Sequence, residues 1–427
     1  MNDKQKNILI PKLRFPEFKD RGEWEEKKLG ELADIVRGGS PRPIQDYLTN
    51  DADGLNWLKI ADVSPESKYI TKTKERVKKE ALKKTRVVNT GDLILSNSMS
   101  FGRPYILKIK TCIHDGWIAI RNISNKTYED YLYYFILSEL SQKYFIINAA
   151  GAAVKNLNAD IIKNLPIYLS NDRQEQQKIA SCLSSLDELL EARKQKLELL
   201  KAHKKGLMQN LFPHPSTGSG CEKVPKLRFP EFKDSGEWEE KKLGEIAEIL
   251  KGKGISKSDI VENGKLPCIR YGELYTDYQE TITRIKSYTN LNAENLVLSK
   301  ANDVIIPASG ETQIDIATAS CVLKKGVALG GDLNIIRTKI NGVFLSYYLN
   351  NAKKREIAQI AQGISVVHLY PAQLKTLNIC IPKAQEQQKI ASCLSSVDEL
   401  ITAEAEKIEQ LEKHKKGLMQ GLFPSIV

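Results

Sequence analysis

A long heptad-patterned stretch occurs twice in the chain, and this duplication limits the folds that the chain can adopt. Residues 174–213 return as residues 385–424, with 29 of 40 positions identical at a constant offset of 211. Both copies place apolar residues on a seven-residue repeat, the pattern of a helix that packs lengthwise against another helix. Because the chain contains two such helices, the sequence predicts that they pair with each other.

Two rows of the heptad define the predicted seam between the helices. Arg193 and Glu404 interrupt one of these rows in matching places. In an antiparallel pair related by a pseudo-twofold axis, we expect them to meet and to fix the register; otherwise both side chains extend past the seam into water. The alternative is that each stripe only covers its own domain, although about 35 residues extend roughly 50 Å, longer than one domain needs. The seam and partner-docking candidates are Ile179, Leu183, Leu186, Leu190, Arg193, Leu197, Ile390, Leu394, Val397, Ile401, Glu404 and Ile408.

A second repeat precedes each variable part of the chain. Residues 10–35 return as residues 224–249, with 22 of 26 positions identical. Each half of the chain therefore consists of an entry segment, a variable block and a long helix. Asp172 and Glu175 have the spacing of a capping box, which predicts the start of the first long helix.

The two variable blocks differ in sequence but share a skeleton of short apolar runs. Residues 91–96 and 115–121 of the first block correspond to residues 302–307 and 331–337 of the second. Short apolar runs bounded by Gly, Asp and Pro predict strands. Each block is therefore expected to be an α+β domain built on one plan, with different loops.

Longer patterned stretches predict helices within the blocks, at residues 129–148 and 342–361. The predicted fold is α+β: two similar globular domains, separated by two long paired coiled-coil helices, in a pseudo-twofold internal repeat. The predicted boundaries are 1–173 for the first domain, 174–213 for the central helix, 214–384 for the second domain and 385–427 for the C-terminal helix.

The positive charge of the chain is concentrated in the two blocks. The formal net charge is +11, of which residues 36–173 contribute +7 and residues 250–384 contribute +6. Two basic modules suggest two faces that bind a polyanion, although a basic surface alone is weak evidence. The densest run, residues 68–86, contains nine basic residues; a solvated helix face explains it as well as phosphate contact does.

Polar residues in the predicted loops are candidates for contact with DNA. Arg pairs with guanine, and Asn or Gln with adenine, through two hydrogen bonds to a base edge. The candidates are Ser40, Arg42, Lys59, Asn97, Ser98, Arg103 and Lys155 in the first block and Lys253, Arg270, Tyr271, Ser309, Gln313 and His368 in the second.

The sequence lacks the common catalytic motifs. It contains no Asn/Asp-Pro-Pro-aromatic tetrapeptide, GxxxxGK[ST], HExxH or GxSxG motif. Its seven cysteines are scattered without a CxxC pair, which favours a reduced cytoplasm over a disulfide framework or a metal site. No apolar run approaches the ~18 residues of a membrane span, and the N-terminus lacks a signal-peptide core. We therefore expect no catalytic residue and no metal site.

The repeated motifs EQQKIASCLSS, HKKGLMQ and LRFPEF resemble those of the specificity subunit of type I restriction–modification systems, as do residues 57–62, 112–117 and 267–274. The resemblance covers essentially the whole chain. It implies two target-recognition domains that each bind one half of a bipartite, asymmetric site in double-stranded DNA. It also implies that the two long helices run antiparallel and set the gap between the halves.

The same resemblance implies partners for the chain. The helices would dock two modification subunits, which methylate adenine with S-adenosylmethionine. Restriction subunits that use ATP and Mg²⁺ to translocate and cut DNA would join that core. The chain itself would bind no cofactor.

Two other classes of function stay open at this point. One is an architectural or scaffold protein that binds DNA without sequence preference. The other is an enzyme with an unrecognised site, such as a fused nuclease, against which the absent motifs argue. The divergence of the two blocks inside nearly identical repeats favours recognition of sequence.

Overall fold

The computed structural model forms two compact units, each with an α+β domain and parts of both long helices. The first unit comprises Met1–Lys194 and Lys407–Val427, and the second comprises Gln195–Glu406. The residues that the structure describes are 9–97, 101–149, 156–213, 223–363 and 366–424. We call the described residues before 173 domain 1, and those from 223 to 381 domain 2.

Domain 1 is built mainly from short strands. They are β1 Glu25–Lys28, β2 Asp34–Arg37, β3 Leu48–Thr49, β4 Leu55–Leu58, β5 Tyr69–Ile70, β6 Glu75–Val77, β7 Arg86–Val88, β8 Leu93–Ser96, β9 Pro104–Leu107, β10 Thr111–Ile113, β11 Trp117–Arg121 and β12 Pro166–Leu169. Its helices are α1 Leu29–Leu32, α2 Glu129–Leu137, α3 Glu139–Asn148 and α4 Ala159–Lys163.

Two five-stranded sheets form the body of domain 1. The first has the order β2-β11-β8-β9-β5, the second has the order β3-β6-β4-β10-β7, and β1 pairs with β12. Strand β8 is buried on both faces: Leu93 and Leu95 pack in the helix-containing core, whereas Ile94 packs in a separate cluster with Leu58 of the second sheet. Burial on both faces explains why this strand is a continuous apolar run.

Domain 2 repeats this plan after the first long helix, α5 Arg173–Leu211. Its strands are β13 Glu239–Lys242, β14 Ala247–Lys251, β15 Leu266–Ile269, β16 Thr281–Ile282, β17 Ser287–Thr289, β18 Val297–Leu298, β19 Asp303–Pro307, β20 Ser309–Gly310, β21 Ser320–Val322, β22 Ala328–Leu329, β23 Leu333–Thr338, β24 Val367–His368 and β25 Asn378–Ile381. Its helices are α6 Leu243–Ile246, α7 Glu273–Thr276, α8 Gln313–Ile316, α9 Gly342–Asn351, α10 Lys354–Ile360 and α11 Pro371–Lys375, followed by the second long helix α12 Ala384–Leu422.

The sheets of the two domains correspond strand by strand. The order β14-β23-β19-β21-β16 matches the first sheet of domain 1, and β17-β15-β22-β18 matches four strands of its second sheet. Strand β13 pairs with β25 as β1 pairs with β12. The predicted α+β fold with an internal repeat is therefore confirmed.

Each predicted helix inside a block is in fact two helices. Residues 129–148 divide at Ser138, which has extended backbone angles and whose hydroxyl accepts a hydrogen bond from the amide of Ser141 at the start of α3. Residues 342–361 divide at Ala352 and Lys353, between α9 and α10. A serine at the N-cap starts a new helix in a different direction. The apolar pattern alone did not indicate this break.

The long helices run antiparallel in both units. In the first unit Lys194 Nζ lies 2.8 Å from Glu412, and Lys415 is paired with Asp187. In the second unit Lys196 lies 3.0 Å from Glu404. As the residue numbers of these pairs rise along α5, those on the other long helix fall. The two helices are therefore antiparallel, as predicted.

The predicted seam residues occupy two kinds of surroundings. Ile179 and Leu183 lie in the core of domain 1, and Ile390 and Leu394 lie in that of domain 2, so the first turns of each helix do cover a domain. Glu404 is 2 % exposed and is paired with Lys196. Its expected pairing with Arg193 stays a prediction.

A lysine in the seam row of each helix is held by a repeated polar cluster. In the second unit Lys204 lies 2.7 Å from Asp398 and 2.8 Å from Glu280, and Tyr347 donates its hydroxyl hydrogen to Asp398. Burial alone would lower the pKa of Lys204, but the two carboxylates outweigh it and raise that pKa. The lysine therefore stays charged inside the packed region, and such a polar contact favours one register of the helices over others.

The far end of each long helix closes a domain core. Leu422 and Phe423 pack in the core of domain 1, where Phe423 meets Tyr131 and Phe135 edge-on. Phe212, directly after α5, packs against Phe344 and Tyr348 in the core of domain 2. Each domain therefore needs the start of one long helix and the end of the other to complete its core.

A buried arginine–glutamate pair fixes the start of each long helix. Arg14 donates two hydrogen bonds to Glu175, at 2.7 and 2.9 Å, and the two side chains are 5 % and 1 % exposed. Arg228 makes the same two bonds to Glu386, both at 2.8 Å. The capping box that we predicted for Glu175 is therefore wrong, because its carboxylate binds Arg14, although Asp172 does accept a hydrogen bond from Gln174 at the start of the helix.

Removal of the carboxylate from this pair should destabilise the protein strongly. Glu175→Ala leaves the guanidinium of Arg14 buried without its partner, a change that costs about 3–5 kcal/mol in comparable pairs. We expect a large fall in the melting temperature, measured by circular dichroism.

Lys178→Ala is the matched control for this substitution. Lys178 lies in the same helical turns and pairs with Glu17 at 3.4 Å, but both side chains are about half exposed. Solvent screens such a pair, so the melting temperature should hardly change. Equal melting temperatures for Glu175→Ala and Lys178→Ala would contradict the role given to the buried pair.

Candidate nucleic-acid interface

One end of each domain is held by the same set of backbone hydrogen bonds, and we call this region the loop end. In domain 1 the bonds run from Gly38 N to Trp117 O, Gly39 N to Ile113 O, Asn97 N to Gly116 O, His114 N to Leu58 O and Leu157 N to Asn97 O, at 2.8–3.2 Å. In domain 2 they run from Gly252 N to Leu333 O, Lys253 N to Leu329 O, Ala308 N to Asp332 O, Gly330 N to Ile269 O and Leu369 N to Ala308 O, at 2.8–3.0 Å. The two loop ends therefore share one backbone frame.

The frame depends on glycine where the chain passes from the first sheet to the second. A Cβ atom on Gly38 would lie 2.2 Å from the carbonyl oxygen of His114. A Cβ atom on Gly252 would lie 2.0 Å from the carbonyl oxygen of Gly330. No side chain fits at this distance, so glycine allows the close approach of the two loops.

The side chains on the shared frame differ between the domains. Domain 1 has Ser40, Lys59, Asn97 and Asp115 at positions where domain 2 has, in the same order, Gly254, Arg270, Ala308 and Gly331. One scaffold thus presents two different sets of polar groups. This is the arrangement expected of two modules that bind different sequences.

Asp115 organises the loop end of domain 1, although the sequence did not single it out. Its carboxylate accepts a 2.8 Å hydrogen bond from Ser40 Oγ and lies 3.6 Å from Arg42 Nη2. Its carbonyl oxygen accepts from Arg37 Nε at 3.1 Å and from Asn97 Nδ2 at 3.3 Å. Three of the predicted DNA-contacting residues, Ser40, Arg42 and Asn97, are thereby brought together.

The carboxylate of Asp115 is held in its charged form. Burial alone would raise the pKa of Asp115, but the hydrogen bond from Ser40 and the nearby side chains of His114, Arg37 and Arg42 outweigh burial. The pKa of Asp115 is therefore lowered, and the carboxylate stays ionised at neutral pH. A fixed negative charge at this point holds basic side chains around it.

The loop end of domain 2 presents aromatic rings instead. The hydroxyl of Tyr275 donates to the carbonyl oxygen of Ser309 at 3.0 Å, and Ser309 is paired with His368 across strands β20 and β24. The His368 ring stacks on Tyr370 with 6.0 Å between centroids, and Tyr271 meets Tyr275 edge-on at 6.4 Å. The predicted residues Tyr271, Ser309 and His368 therefore share one surface.

The remaining candidates occupy varied surroundings. Lys59 is paired with Glu75, and Arg270 lies 3.5 Å from Glu273. The guanidinium of Arg103 lies over the ring of Tyr105. Lys253 and Gln313 are exposed, and Ser98 and Lys155 lie outside the described residues.

The basic segment at residues 68–86 is not a helix face. It consists of strands β5, β6 and β7 with a short 3₁₀ turn. Lys68 is paired with Asp130 at 2.5 Å, and Lys79 with Asp53 at 2.8 Å. The solvated-helix explanation is therefore wrong, and part of this positive charge is neutralised within the domain.

The described residues lack two features that would point to other classes of protein. Over the part of the chain that the structure covers, no helix combines the length and apolar character needed to cross a bilayer. The same residues contain no group of three or more His, Cys, Asp or Glu side chains placed to hold a metal ion.

A family model matches both halves of the chain. The model is the type I restriction modification DNA specificity domain, and it matches residues 21–202 and again residues 235–413. The chain belongs to this family. Its two α+β domains, each with most of a long helix, are two copies of the type I DNA specificity domain.

Individual relatives support the same assignment over the full length. The chain is 25% identical over 435 residues to the type I restriction enzyme MjaVIII specificity subunit of Methanocaldococcus jannaschii, with 96% of this chain and 93% of that protein covered. It is 24% identical to the MjaIX specificity subunit of the same organism, with 94% and 92% covered.

Solved structures share the fold of this specificity-domain protein. The type I restriction–modification S subunit from M. genitalium matches with a TM-score of 0.60 at 15% identity, covering 98% of this chain and 100% of that one. A chain from a structural study of complex assembly and conformational transition in a type I R-M system matches with a TM-score of 0.54 at 17% identity, covering 95% and 98%.

The close approach of the loops at Gly38 predicts that one added methyl group there will lower stability and DNA binding. Gly38→Ala should push the loops of domain 1 apart, because the new Cβ atom would lie 2.2 Å from the backbone carbonyl oxygen of His114. We expect a lower melting temperature and weaker DNA binding in a mobility-shift assay.

Gly206→Ala is the control for this substitution. Gly206 lies inside helix α5, where a Cβ atom would meet nothing within 4 Å. Alanine at such a position should stabilise the helix by about 0.5–1 kcal/mol. A Gly38→Ala protein as stable as the Gly206→Ala protein would show that the close approach does not matter.

Proposed function

We propose that this chain is the sequence-specific DNA-binding subunit of a type I restriction–modification complex. In this proposal each domain binds one half of a bipartite, asymmetric site in double-stranded DNA. The observation that carries the proposal is the loop end: one backbone frame, present twice, with different side chains. The positive charge of both blocks supports it, because phosphate contacts supply much of the affinity of DNA-binding proteins.

The two long helices are proposed to act as spacer and docking surface. Each domain core includes the start of one helix and the end of the other, so each domain is attached to both helices. A fixed pair of readers would impose a fixed gap between the half-sites, as in other DNA-binding proteins that span two half-sites. Family membership supports two modification subunits on the helices, with restriction subunits joining them.

The chemistry is proposed to lie on those partners. The sequence of this chain has none of the catalytic motifs considered above, and no cofactor is proposed for it. S-adenosylmethionine would be bound by the modification subunits, and ATP and Mg²⁺ by the restriction subunits. The assembly is proposed to act in the cytoplasm.

Duplication of one domain provides a direct test of the proposal. Residues 36–173 would be replaced by residues 250–384, which leaves Arg14 and Glu175 in place. The resulting chain should bind a symmetric site, made of two inverted copies of the half-site of domain 2. Sequencing of methylated adenines, in cells that contain the chain and its modification partner, would give the site.

The reciprocal hybrid, with residues 36–173 in both positions, is the matched control and should give the other symmetric site. Melting curves establish that each hybrid is folded. A folded hybrid that keeps the original asymmetric site would contradict the proposal. Binding without sequence preference would instead favour an architectural protein.

A further inference from the structure

Arg42 has the properties of a base-contacting residue more fully than its neighbours. It follows strand β2 at the loop end of domain 1, and its side chain is 83 % exposed. Among the described residues its one ion-pair partner is Asp115, at a distance of 3.6 Å. The guanidinium therefore points into solvent, and its ion pair with Asp115 holds one of its nitrogen atoms in place.

Three other polar side chains of this loop end hydrogen-bond to Asp115. The hydroxyl of Ser40 donates to Asp115, and the amide of Asn97 donates to the carbonyl oxygen of Asp115. Arg37 donates to that same carbonyl oxygen. Their hydrogen bonds position the loop, whereas the guanidinium of Arg42 makes a 3.6 Å ion pair with Asp115 and projects from the loop.

The carboxylate of Asp115 suits the role of a support for Arg42. A guanidinium has five N–H donors in a planar fork, so one edge can face a carboxylate while another edge faces a base. Ser40 fixes the orientation of the carboxylate, and the lowered pKa of Asp115 keeps it charged. Support of this kind reduces the conformational entropy that Arg42 loses when it binds.

We propose that Arg42 recognises a guanine in the half-site of domain 1, with Asp115 as its positioning residue. Arginine contacts guanine through the O6 and N7 atoms in the major groove. The inference rests on the proposed function, since it assumes that domain 1 binds a specific half-site. Domain 2 has Ser256 and Gly331 at the corresponding positions, so its half-site must be recognised by other groups.

Three variants separate base recognition from phosphate contact. They are Arg42→Ala, Arg42→Lys and Asp115→Asn, with Lys143→Ala on helix α3 as the control for loss of an exposed cation. Binding of the purified chain would be measured by fluorescence anisotropy on the site selected by the unaltered chain. A second set of duplexes would carry 7-deazaguanine, which lacks N7, at each guanine in turn.

The proposal predicts one sensitive guanine in the half-site of domain 1. Deazaguanine at that position should weaken the unaltered chain about tenfold to a hundredfold, and it should add nothing to the loss already caused by Arg42→Ala. Arg42→Lys should behave like Arg42→Ala, because lysine keeps the charge but lacks the fork. Asp115→Asn should relax the preference for that guanine, whereas Lys143→Ala should leave it unchanged.

Other results would overturn the inference in distinguishable ways. A uniform loss on all sequences, with a smaller salt dependence and rescue by lysine, would mean that Arg42 contacts a phosphate. An unchanged preference in all three variants would mean that Arg42 does not contact the site. Failure of the unaltered chain, tested with its modification partner, to select any sequence would instead contradict the proposed function itself.

Discussion

The buried pairs Arg14–Glu175 and Arg228–Glu386 fix the point at which each long helix leaves its domain. Each pair joins an entry segment to the first turn of a helix, with the arginine side chains 5–7 % exposed and the glutamates 1 % exposed. A charge so deeply buried is stable only with its partner in place, so the pair tolerates one geometry. The apolar residues that follow, such as Ile179 and Ile390, then pack into the domain cores.

This anchoring explains why the chain is constant in some parts and divergent in others. The entry segments and long helices form the anchors and the antiparallel contacts, and their sequences repeat with few changes. In the loop ends, by contrast, structure constrains only the backbone frame and its close-packed glycines, and the other side chains can vary. They can therefore present a carboxylate-centred cluster in one domain and a cluster of aromatic rings in the other, as two readers of different half-sites would need.

Much of the architecture could be predicted from the repeats. The offsets between the blocks located equivalent strands, such as β8 and β19, and the heptads located both long helices and their pairing. The antiparallel orientation of the pair came from the family resemblance. The buried pairs were missed because Arg14 and Glu175 are 161 residues apart, and the local pattern suggested a capping box instead. The breaks at Ser138 and Lys353 were missed because the apolar pattern continues through them.

The candidate site was less accessible to sequence reasoning. Loop residues were chosen by type, and the structure shows that Ser40 and Asn97 use their donors on Asp115, which no motif had indicated. The alignment of the two blocks offered a clue, because Asp115 in domain 1 corresponds to Gly331 in domain 2. A position that is polar in one copy and glycine in the other is one where the two domains differ in the polar groups that they present. Only the folded loops show which side chains project outward, as Arg42 does.

The proposed spacer role of the helices is tested most directly by lengthening both of them. One heptad would be inserted after Lys194 and one after Glu406, at the boundaries of the two compact units, so that the contacts within each unit are preserved. Seven residues add about 10 Å of helix, close to three base pairs of DNA. Sequencing of methylated adenines should then show both half-sites unchanged and the gap between them altered. An unchanged gap in a folded, active protein would contradict the account.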